Sequence, residues 1–208
     1  MTPFAIEETF RPRPSARWRR IEVGGGRLIV TADGLRLALA GARRGQYADA
    51  QIDDYGRTLA RPHGLPRRGF PWRPPLRLTV RARASGPLLG TAGFGFWNNP
   101  LVPLADGPSA LPAAIWFFHA SPPSDLPLAM GVPGHGWKAA CIDATQPAAL
   151  AWAPLAPPVL LLNRRPWLAR RIWPRVQRAL RIAEAPIPAS DAAWRTYTLE
   201  WRAGYARF

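Results

Sequence analysis

Between Leu76 and Ala84 the chain alternates strictly. Leu76, Leu78, Val80 and Ala82 fall on one parity; Arg77, Thr79, Arg81 and Arg83 fall on the other. A period of two is the signature of a β-strand with one face in a core and the other in water or a cleft. The rest of the chain is cut into pieces of similar length by 25 prolines and 18 glycines among 208 residues. Punctuation this dense favours many short strands joined by turns over long helices. With 48% hydrophobic residues, the chain has enough apolar surface for a substantial core.

Further strands are predicted at Trp18 to Val23, Arg27 to Thr31, Leu35 to Ala40 and Asp49 to Tyr55. Gly24-Gly25-Gly26 supplies a turn, and Asp33-Gly34 is a hairpin signal. After a loop over Gly56 to Pro75 come Leu76 to Ala84, Thr91 to Asn98, Pro112 to Ala120, Gly136 to Asp143 and Trp194 to Trp201, with a start of one more at Tyr205 to Phe208. In TAGFGFWN, Phe94, Phe96 and Asn98 share one side, and Gly93, Gly95 and Trp97 the other. Glycine in a strand allows a backbone or ligand to come close. One segment breaks the pattern. From Asn163 to Ala185, Leu168, Ile172, Val176 and Leu180 recur every four residues among seven arginines, which predicts an amphipathic helix kinked or interrupted at Pro174. The expected organisation is an extended arm over residues 1–16 and one β-sandwich domain over 17–208, with a helical insertion at about 163–185.

Two stretches carry a resemblance. LRLTVRARASGPLLGTAGFGFWNNP and WRTYTLEWRAGYARF resemble segments of laminarinase- and lichenase-type glycoside hydrolases of the concanavalin A-like superfamily. In the second, Trp194, Tyr197, Glu200, Trp201 and Phe208 hold the aromatic and Glu-Trp positions. The resemblance implies an all-β, concanavalin A-like jelly-roll sandwich and a carbohydrate ligand. It does not bring the activity with it. Those enzymes carry Glu-x-Asp-x-(x)-Glu on the strand after the aromatic one, whereas the equivalent strand here, AAIWFFHA, holds no carboxylate. Retaining hydrolysis needs two carboxyl groups ~5–5.5 Å apart. The chain also stops at Phe208, where those relatives continue with further strands, so either an incomplete sandwich or a C-terminally truncated fragment is expected.

Three functional readings follow. The first is carbohydrate binding on a concave face lined by Trp97, Asn98, Trp116, His119 and Lys138, where aromatic planes meet sugar CH faces and amides meet hydroxyls. The plainer reading makes both tryptophans core residues, His119 a structural histidine and Lys138 an exposed lysine. The second is an enzyme using Asp49, Asp53, Asp125 or Glu200 as carboxylates, with His119 beside Asp125 as an acid/base pair. Asp49, Gln51, Asp53 and Tyr55 otherwise form a polar outer strand face. The third is a module for an anionic membrane or nucleic acid, using Arg164, Arg165, Arg170, Arg171, Arg175, Arg178 and Arg181 with Trp167 and Trp173. Against it stands a helix whose stripe packs on the sandwich while its arginines face water. The net charge of +15, with Lys138 the single lysine, favours an anionic partner in general.

The sequence contains no P-loop, nucleophile elbow or zinc-ligand spacing, so neither cofactor nor metal is expected. Cys141 is the single cysteine, which excludes an intramolecular disulfide and makes it a small core residue. The N-terminus has no basic start followed by an apolar run, so no signal peptide is read and a cytoplasmic location is expected. The longest apolar stretch, Ala148 to Leu162, is broken by Pro154, Pro157 and Pro158 and is too short to span a bilayer.

Overall fold

Antiparallel strands make up most of the regular structure. A computed structural model describes residues 5–43, 45–54, 72–97, 112–124, 128–152, 165–188 and 192–208. They fall into two compact units, one within residues 1–67 and one within 68–208.

Among the described residues, the first unit holds four strands. β1 (Arg19–Val23) pairs antiparallel with β4 (Asp49–Asp53), and β2 (Gly26–Thr31) pairs with β3 (Gly34–Leu39). Gly24 and Gly25 turn the chain at φ of 56° and 96°, values that favour glycine. Side chains link the two pairs: Glu22 accepts the Leu28 N–H at 2.7 Å, and Arg20 donates to the Leu28 carbonyl at 3.0 Å. Residues 5–18 contain neither helix nor strand, but they are tied down. The Glu8 carboxylate accepts hydrogen bonds from the Phe10 and Ser15 N–H groups and the Trp18 indole, and Arg11 reaches the Ala32 carbonyl.

The second unit has two antiparallel sheets. One runs in the order β11 (Tyr205–Arg207), β10 (Arg195–Arg202), β5 (Leu76–Ala82). The other runs β6 (Thr91–Trp97), β7 (Ala113–Ala120), β8 (Gly136–Asp143), β9 (Ala183–Pro186). They pack face to face through one core. Leu78, Tyr197, Leu199 and Trp201 come from the first sheet, and Phe94, Phe96, Ile115, Phe117, Trp137 and Ala139 from the second. Leu199, at 0% exposure, sits at the centre. Tyr197 meets Phe94 at 5.0 Å and Phe117 at 5.1 Å between ring centroids, both edge-on, the geometry ring quadrupoles favour. The all-β expectation holds, and so does the parity of TAGFGFW: Phe94 and Phe96 point into the core, with Trp97 on the other face.

Among the described residues two helices belong to this unit, α1 (Pro147–Trp152) and α2 (Pro166–Ala179). The helix expected over about 163–185 is shorter than its periodicity implies. It continues through Pro174 but stops at Ala179, and Ala183–Pro186 is strand β9 instead. Arg181 adopts φ of 49°, so Ile182 N–H reaches the Gln177 carbonyl (2.9 Å) and Arg181 N–H the Arg178 carbonyl (3.2 Å). This is a Schellman ending with arginine where glycine is usual. The Leu180 carbonyl then accepts the Asp143 N–H at 2.7 Å, tying the helix end to β8. Left-handed backbone is costly for a residue with a Cβ, and Gly offsets part of that gain through its unfolded-state entropy. Arg181→Gly is therefore expected to stabilise the protein by about 0.5–1 kcal/mol. Urea unfolding reads this directly, and an unchanged or lower midpoint counts against strain at this position.

The periodic stripe packs inward as expected: Val176 is buried and Leu168, Ile172 and Leu180 are half-buried. Arg165, Arg170, Arg171, Arg175, Arg178 and Arg181 are exposed. Arg164 lies outside the described residues. Among those residues, no helix is long and apolar enough to cross a membrane.

Candidate functional site

The register of the four-stranded sheet decides which predicted residues meet. Trp97 pairs with Ala114, Gly95 with Trp116, Gly93 with Phe118, and Phe118 in turn with Lys138. Since side chains alternate, Trp97, Trp116, Phe118 and Lys138 share the face turned away from the core. Trp97 and Trp116 lie 5.2 Å apart between ring centroids. Trp116 and Phe118 lie 5.0 Å apart and nearly parallel, at 20°. All three rings are half-buried. Gly93 and Gly95 are what let Trp116 and Phe118 lie over β6. A Cβ at Gly93 would stand 2.5 Å from the Phe117 carbonyl oxygen, and one at Gly95 would come within 2.6 Å of the Trp116 Cα. The Trp116 indole N–H is buried and has no hydrogen-bond partner among the described residues, an arrangement that normally has an explanation in a ligand or water.

His119 does not join this group. It pairs with Trp137 on the opposite, core-facing parity, its ring 5.4 Å from the indole, and it is 7% exposed. Asn98 and Asp125, the other proposed members, lie outside the described residues, so the His119–Asp125 pairing does too.

Lys138 is on the right face but is neither exposed nor open to a ligand. It is 1% exposed, and its ammonium lies 2.8 Å from Oε1 of Glu184, which is equally buried. That contact is an ion pair; the directed hydrogen bond of the ammonium goes to the Pro133 carbonyl at 3.2 Å. Oε2 of Glu184 accepts two successive backbone N–H groups, Leu128 and Ala129, both at 2.9 Å. Helix α2 holds the same segment: the Trp173 indole donates to the Leu128 carbonyl at 2.8 Å, and Gln177 accepts the Met130 N–H at 3.3 Å. The pair thus pins residues 128–133 onto the outer face of β8 and β9. The ammonium also lies 5.9 Å from the centre of the Phe118 ring, within cation–π range. Glu184 was missed from the sequence. Its one signal was the single lysine of an arginine-rich chain inside an apolar strand, which requires a buried counter-charge somewhere.

The described carboxylates proposed for an enzyme are largely engaged within their own units. In the first unit, Arg19 grips Asp53 through two nitrogens at 3.0 and 3.1 Å, and the Gln51 amide adds a third bond at 2.9 Å. Burial pushes the Asp49 carboxyl above its ordinary range, with the Asp53 charge adding to the shift and a hydrogen bond from Tyr47 opposing it. The Tyr47 hydroxyl, 3.1 Å from Asp49, is pushed up to about 12 by desolvation and then by that charge. Glu200 belongs to the second unit, where Arg77 binds it from the neighbouring strand; that hydrogen bond and the Arg77 charge hold its carboxyl below the usual range. Cys141, expected in the core, is half-buried, and burial alone raises its thiol to about 11. No group of three metal-ligating side chains occurs among the described residues.

No family model, curated protein or solved structure matches this chain.

Proposed function

We propose that this protein binds carbohydrate on the outer face of the four-stranded sheet, through Trp97, Trp116 and Phe118. The observation that carries this reading is the run of three rings in 5 Å steps on the face turned away from the core. Sugar-binding surfaces combine such planes with a few polar groups.

The likeness of two segments to laminarinase- and lichenase-type hydrolases supports a concanavalin A-like jelly roll and the same choice of ligand. Hydrolysis of the retaining kind is not part of the proposal. The outward residues of β7 are Ala114, Trp116, Phe118 and Ala120, and the one carboxylate on the described part of this face, Glu184, is committed to Lys138 and two backbone amides. Two carboxyl groups are needed.

Binding to β-glucans and other polysaccharides, read by pull-down and by quenching of tryptophan fluorescence, tests this. Trp97→Ala and Trp116→Ala are each expected to weaken binding at least tenfold, corresponding to ~1.4 kcal/mol. Unaltered binding in both variants, with unfolding midpoints like the parent, removes the site.

A further inference from the structure

The solvent face of the three-stranded sheet carries a second surface that the carbohydrate reading does not use. Alternation places Arg77, Thr79 and Arg81 of β5 on it. Thr196, Thr198, Glu200 and Arg202 of β10 and Tyr205 and Arg207 of β11 share it. Arg83 and Trp194 extend the face at the end where β10 begins. Thr79 faces Thr198, Arg81 faces Thr196, and Arg207 and Arg77 flank Glu200 from either side. The five arginines are exposed. Glu200 is the one carboxylate on this face among the described residues, and Arg77 already binds it. Register sets Arg207 opposite the same carboxylate, and Arg202 follows two residues along β10 on the same face.

The aromatic groups set this surface apart from a merely solvated basic face. The guanidinium carbons of Arg81 and Arg83 each lie 4.8 Å from the centre of the Trp194 indole, so one ring holds two cations. Trp194 is nevertheless 37% exposed. Tyr205, at 57%, lies across from Arg202 at the far end of β10. Eight residue steps lead from Trp194 to Arg202, which separates the two aromatic ends by about 26 Å at ~3.3 Å per residue.

From this arrangement we infer that the face formed by Arg77, Arg81, Arg83, Arg202, Arg207, Trp194 and Tyr205 binds single-stranded nucleic acid. A row of cations follows a phosphate backbone, while aromatic rings and guanidinium planes accept unstacked bases. A lipid surface fits the face poorly, because between the arginines stand Thr79, Thr196 and Thr198 and no protruding aliphatic side chain. A sulfated polysaccharide matches the cations as well, and competition by heparin separates it from a nucleic acid.

The test uses the full chain and a fluorescein-labelled oligothymidylate of about twelve nucleotides, read by anisotropy over a salt series. Trp194→Ala is expected to weaken binding roughly tenfold or more, with Trp194→Phe retaining most of the affinity. Arg81→Gln with Arg83→Gln is expected to lower the slope of log K against log salt by about 1.4, at ~0.7 per phosphate contact. Arg170→Gln, Arg171→Gln and Arg175→Gln together, on helix α2, should leave both quantities as they are. The inference is overturned if Trp194→Ala binds like the parent, if the helix variant loses binding while the sheet variants keep it, or if heparin fragments or phosphatidylserine vesicles displace the oligonucleotide as well as an unlabelled copy does. The Trp97 and Trp116 variants probe the opposite sheet, so failure of the carbohydrate reading leaves this result distinct.

Discussion

Replacing Glu184 by alanine is expected to destabilise the second unit by about 3–5 kcal/mol, because it leaves the Lys138 ammonium buried without a counter-charge. The ammonium is 1% exposed and keeps one hydrogen bond, to the Pro133 carbonyl. The loss also strips the Leu128 and Ala129 N–H groups of their acceptor, so residues 128–133 lose one of their two attachments to the sheet face. Denaturant unfolding reads the stability directly. The decisive comparison is with Lys138→Met combined with Glu184→Gln. That pair removes the charge yet keeps an amide oxygen for Leu128 and Ala129, and it is expected to recover most of the lost stability. Equal losses in the single and the double variants would show that packing, rather than an uncompensated charge, sets the cost.

Gly95→Ala is expected to cost about 1–3 kcal/mol, the range of an overpacked interior. The new methyl group would strike the Ile115 carbonyl oxygen and stand 2.6 Å and 2.7 Å from the Cα and Cβ of Trp116. These are backbone and near-backbone atoms, so β6 and β7 must separate for it to fit. The Trp97–Trp116 spacing must change with them, so carbohydrate affinity and the near-ultraviolet circular dichroism of the tryptophans are expected to fall together. Gly86 has nothing within 4 Å of an added Cβ and no positive φ, so Gly86→Ala is the matched control. If Gly95→Ala behaves like that control, the glycine is not what admits the Trp116 ring.

The contrast between these two sites shows what patterning reveals. Gly95 and the aromatic residues around it were visible in TAGFGFWN, because parity along a strand is local and survives any tertiary arrangement. The same local logic found the stripe of α2, with Val176 inward and the arginines outward. It overran the helix because its last turn and the strand after it share apolar residues at compatible spacings. The stop is set by the left-handed turn at Arg181 and by pairing of Ala183–Pro186 with β8, and the latter depends on a partner more than forty residues away in the chain.

The sequence determined by itself that the chain is mainly β, which parity of its clearest strands faces a core, and that one charged helix interrupts them. Those properties follow from a period of two or four and from the distribution of proline and glycine, all short-range. Pairing between distant strands decided the rest. It placed Trp97 beside Trp116 and Phe118 while turning His119 to the other face. It buried Lys138 against Glu184, forty-six residues later, and it gathered arginines from β5, β10 and β11 around Trp194 and Tyr205. Register is a property of two strands at once, and a single strand's pattern says which side chains share its face but not which neighbours they will meet.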